Sequence, residues 1–77
     1  MTPIRRLLWR RQQRAIVAAL TDLRLKPAYQ PVSRVFDDML LYAQIGKDRR
    51  KLTMAFVERA RAIADDTLDL RRELGLP

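Results

Sequence analysis

Five arginines stand within the first fourteen residues, at Arg5, Arg6, Arg10, Arg11 and Arg14, and no acidic residue precedes Asp22. On a helix, Arg6, Arg10 and Arg14 recur at four-residue steps and form one ridge, with Arg5 and Arg11 flanking it. A guanidinium keeps its charge at any physiological pH and presents paired N–H donors to anionic oxygens, so such a ridge suits phosphate recognition. A second knot of positive charge follows later, where Lys47, Arg49, Arg50 and Lys51 surround Asp48. Trp9, set among the arginines, offers a ring for stacking on a base, but its place on an apolar seam favours a core anchor.

The acids collect elsewhere. Glu58, Asp65, Asp66, Asp69 and Glu73 fall within about a third of a helix circumference. Carboxylates so grouped can hold a hard cation or work as an acid/base pair. No glycine-turned loop arranges them around an ion, however, and Arg61 and Arg72 lie three or four residues from acids, as in ordinary surface ion pairs. The expectation is therefore no metal, no cofactor and no catalytic residue. A different use for this strip is to meet the arginine ridge of another copy, which makes assembly salt-sensitive.

Other reactive types are missing. The chain has no cysteine and no histidine, which removes disulfides, thiolate or imidazole zinc sites, and the nucleophiles and bases that depend on them. Ser33 has no histidine to activate it, and Lys47 and Lys51 belong to a solvated turn. The two glycines are 29 residues apart, and both read as helix stops instead of a phosphate-cradling loop. A helix-turn-helix over Met39 to Glu58 fits poorly, because Tyr42 and Lys47 occupy places around Gly46 that need a small and an apolar residue.

These side chains are carried by a chain of 77 residues with a net charge of +7, enough for one small domain whose core is marginal. Help from a partner or a second copy is expected. Pro3 suits a first helical position after a Thr2 cap, Pro27 ends that helix, and Pro27 to Pro31 forms a stiff connector. Gly46 and Gly75 supply left-handed stops. The reading is three helices at about 3–26, 32–45 and 49–74. No segment alternates with period two, so the fold class is all-α, a small three-helix bundle or helical hairpin with coiled-coil-like packing that self-associates.

The apolar spacing assigns the core. Trp9, Gln13, Ile16, Leu20 and Leu23 form the seam of the first helix, and Thr53, Phe56, Ala60, Ile63, Thr67, Leu70 and Leu74 that of the third. Val32, Val35, Phe36, Met39, Leu40 and Ala43 make a stripe on the second. Ile4, Leu7, Leu8, Leu25, Leu41 and Ile45 are left over, as an interface or as a second core stripe.

The N-terminal stretch has the Arg-rich, acid-poor character of an organelle-targeting segment but no serine, and no apolar run reaches membrane-spanning length. A soluble, cytoplasmic protein is expected. The leading functional expectation is a non-enzymatic regulatory or accessory protein that binds nucleic acid or a nucleoprotein complex. Its contacts are Arg5, Arg6, Arg10, Arg11 and Arg14, assisted by Lys47, Arg49, Arg50 and Lys51. The alternative is a protein-protein adaptor or inhibitor of mobile-element origin, docking through Leu7, Leu8, Trp9, Leu41 and Ile45. An amphipathic helix on an anionic membrane surface is a third class. No small-molecule substrate is expected.

Overall fold

The computed structural model describes residues 3–47 and 49–77, with the side chains of Pro3 and Arg5 outside that description. It is an all-α bundle of three helices: α1 (Pro3–Arg24), α2 (Ser33–Ile45) and α3 (Met54–Glu73), with a short 3-10 helix (Pro27–Val32) between the first two. The expected Thr2 cap lies outside the described residues.

α1 runs through Arg, Leu, Gln and Ala without an interior Gly or Pro, and it stops just short of Pro27. Lys26 is forced into extended geometry (ψ 131°) by the proline that follows it. The expected stiff connector is itself helical. Both prolines suit the φ of a 3-10 turn, and the turn drives Tyr29 and Val32 into the base of the bundle. The Tyr29 and Phe36 rings meet edge to face at 5.2 Å. α2 ends at Gly46, whose φ of 63° is left-handed and whose N–H donates to the Tyr42 carbonyl at 3.1 Å. α3 closes the same way at Gly75 (φ 70°), with the Gly75 N–H on the Arg72 carbonyl and the Leu76 N–H on the Arg71 carbonyl.

The core holds Ile16, Leu20, Phe36, Leu52, Ala43, Ala60 and Ala64, all without solvent exposure. The expected seams of α1 and α2 are therefore present: Ile16, Leu20 and Leu23 are buried, Phe36 and Ala43 are buried, and Val35, Met39 and Leu40 pack against them.

Two expectations about α3 need correction. It begins at Met54, not near residue 49, because Leu52 is a core residue. Continuing the helix backward would set Leu52 about 140° around the axis from Val57, off the buried face. The break, with Thr53 extended (φ −122°, ψ 176°), lets Leu52 turn inward. The buried line of α3 is also different: Val57, Ala60 and Ala64 are buried and Leu68 packs beside them. Ile63 is 43% exposed, and Leu70 and Leu74 are more than half exposed. The platform of α1 and α2 already supplies Ile16, Leu20 and Phe36, so the alanine side of α3 is the one that can approach closely.

The helices are staggered. α1 is about 33 Å long and α3 about 30 Å, yet the long axis measures 52 Å. A radius of gyration of 14.3 Å, against about 11.5 Å for a compact domain of this length, says the same. α1 packs chiefly against α2. α3 starts level with Gln12, whose side-chain amide donates to the Leu52 carbonyl at 2.7 Å, and runs in the same direction as α1. It reaches Tyr29 at Asp65, where the phenol donates to the carboxylate at 2.7 Å, and then continues past the bundle.

Candidate functional site

The turn after α2 is held against α1 by a small polar joint. The Gln13 amide donates to the carbonyls of Ala43 (2.9 Å) and Gln44 (3.1 Å), which α2 leaves free at its C-terminal end. The Arg49 guanidinium lies over the Trp9 ring, 5.3 Å from its centroid. Gln13, polar in an otherwise apolar seam, is explained by this joint. Trp9 is half-buried and packed on the core, so it acts as an anchor, not as a free stacking platform.

This joint gathers the two basic segments at one end of the molecule. Arg6, Arg10, Arg11 and Arg14 project from α1 and are exposed, and Lys47, Arg49, Arg50 and Lys51 are exposed in the adjoining turn. Among the described residues, no hydrogen bond or ion pair engages Arg6, Arg10, Arg11 or Arg14. Arg5 falls outside the described side chains. The described ion pairs lie elsewhere, with Arg24 on Asp37 and Arg72 on Asp69 (3.7 Å). The first ties the end of α1 to the second turn of α2, and the second is an exposed pair of little energetic weight.

The acids Glu58, Asp65, Asp66, Asp69 and Glu73 are all exposed along α3. Asp65 is committed to Tyr29. That hydrogen bond, followed by burial of the ring, raises the Tyr29 pKa above its ordinary value of 10.0. Among the described residues, no three of His, Cys, Asp or Glu gather as a metal site would need. No helix among them is long and apolar enough to cross a membrane.

Of the residues expected at a protein interface, Leu7, Leu8, Leu41 and Ile45 are each more than half exposed, while Trp9 belongs to the interior seam. Sequence spacing did not reveal an open trough of roughly 310 Å³ between α1 and α2, lined by Gln13, Arg14, Val17, Ala18 and Gln44. Its signal was Val17, a branched apolar residue beside the seam. Comparison with protein-family models, with curated proteins and with solved structures finds no match to this chain.

Proposed function

We propose that this protein is a non-enzymatic accessory module that binds nucleic acid, or a nucleoprotein complex, through its basic end. The observation that carries the reading is the exposed row Arg6, Arg10, Arg11 and Arg14, with no carboxylate of the described chain engaged on it. Lone guanidinium groups on a rigid helix are ready to take phosphate oxygens without first breaking internal pairs. Arg6, Arg10 and Arg14 rise about 6 Å per step along one side of α1, so successive groups can follow a backbone. The turn Lys47 to Lys51 extends the same field, which speeds encounter with a polyanion.

The test is a binding titration of double- and single-stranded DNA and of RNA, comparing the wild type with the triple variant Arg6→Glu, Arg10→Glu, Arg14→Glu. Loss of binding with unchanged helicity is the expected outcome. Absence of binding by the wild type to any of the three at low salt eliminates the reading.

A second reading, an adaptor or inhibitor for another protein, is favoured by the exposure of Leu7, Leu8, Leu41 and Ile45. Under that reading Leu8→Ser with Leu41→Ser removes function and the arginine variants only slow the encounter.

A further inference from the structure

Among the described residues, two of the exposed apolar stripes lie at opposite ends of the molecule. At the basic end, α1 extends about 13 Å before it meets α3 at Gln12, and there Ile4, Leu7 and Leu8 face outward. At the other end, α3 runs on about 12 Å past Asp65, carrying Leu70 and Leu74. With Ile63 these continue a seven-residue pattern through Thr67, the spacing that pairs one helix with another, yet among the described residues its leucines and isoleucine stay exposed.

The charges on one flank of each stripe are opposite, while on the other flank of the α3 stripe the Arg71 guanidinium is occupied by the Pro77 carbonyl. Asp66 and Glu73 border the Ile63 to Leu74 stripe and are unpaired among the described residues, whereas Arg10 and Arg11 border the Ile4 to Leu8 stripe, equally unpaired. The overhangs match in length and in kind, an apolar strip edged by charge. On a molecule 52 Å long they cannot meet within one chain.

We propose that the occupant of each stripe is a second copy of this chain: the N-terminal overhang of α1 lies along the C-terminal overhang of α3 of its neighbour, Leu7 and Leu8 against Leu70 and Leu74, with Arg10 and Arg11 opposite Asp66 and Glu73. Every copy carries both halves, so the contact either propagates head to tail or closes between two copies that satisfy each other. The same arginines then serve assembly or polyanion, and the two compete. The inference does not depend on the nucleic-acid reading, because the α3 stripe lies outside the basic end.

The experiment is sedimentation equilibrium of nuclease-treated, polynucleotide-free protein at low and at high salt. The wild type is expected to associate, and to do so more weakly at high salt. The variants Leu70→Ser with Leu74→Ser, and Asp66→Arg with Glu73→Arg, change exposed positions only and should retain full helicity while weakening association roughly tenfold or more. Mixing the Asp66→Arg, Glu73→Arg protein with an Arg10→Glu, Arg11→Glu protein should restore it. A monomeric wild type at low salt, association unchanged in both α3 variants, or no recovery in the charge-swapped mixture would each overturn the proposal. If association behaves as described while no polynucleotide binds, the contact stands and the functional reading fails.

Discussion

Replacing Gly46 by alanine tests how the basic end is held together. Gly46 has φ +63°, a conformation that disfavours any side chain by about 1–2 kcal/mol. A methyl group there would also lie 3.2 Å from the Gln13 amide nitrogen and 3.3 Å from Trp9 Cζ2. Neither neighbour is free to retreat: the amide is held by two carbonyls and the indole is packed on the core beneath Arg49. Displacing them weakens a hydrogen bond or the packing, adding about 1 kcal/mol. Gly75 provides the internal control, since its φ is +70° but nothing lies within 4 Å of an added methyl. Gly75→Ala should therefore show the backbone effect alone, about 1–2 kcal/mol, and Gly46→Ala about 2–3 kcal/mol. At about 4–8 °C per kcal/mol for a domain of this size, Gly46→Ala should lower the Tm by roughly 8–24 °C. Thermal and urea unfolding followed by circular dichroism read both variants. Equal effects at the two glycines would refute the claim that the Gln13 and Trp9 joint is rigid.

Phe36 has no solvent exposure and touches both the connector and the core, so Phe36→Ala should destabilise by about 3–5 kcal/mol, read as a large fall in the urea midpoint. Leu52→Ala should cost about 2–5 kcal/mol although its residue lies in a turn, whereas the exposed Leu70→Ala should stay within about 0.5 kcal/mol in the dilute monomer. Tyr29→Phe removes the hydrogen bond to Asp65 and should cost about 1 kcal/mol near neutral pH. The sign of its pH dependence follows from the raised phenol pKa. The fold favours the neutral ring, so this contribution is complete below the unfolded value near 10 and disappears as pH rises through the higher folded value. Urea midpoints of wild type and Tyr29→Phe should converge in alkali and stay apart at neutral pH.

Much of this architecture can be read from local chemistry. Pro27 and Gly46 set helix boundaries locally, the proline by restricting the residue before it and the glycine by accepting a left-handed φ, and the α1 seam from Trp9 to Leu23 follows from a single uninterrupted helix. α3 was less legible for a physical reason. Its heptad spacing from Phe56 to Leu74 describes a surface able to pair with a helix, but packing within this chain favours the smaller side chains Ala60 and Ala64, one helical step away. Leu52 likewise looked helical until the core claimed it, a long-range effect with no local signature. For the site, the exposure of Arg6, Arg10, Arg11 and Arg14 agrees with their spacing. Their approach to the Lys47 to Lys51 turn depends on Gln12 and Gln13, and two glutamines in sequence carry no hint of the carbonyls they reach.

The most direct test of the account is the dependence of polynucleotide affinity on salt. If the basic end neutralises about five phosphates, the logarithm of the association constant should fall against the logarithm of salt concentration with a slope of roughly −4 to −5, and the slope should shrink by about 1 for each of Arg6, Arg10 and Arg14 changed to alanine. A slope near zero, or one indifferent to those three substitutions, would contradict it.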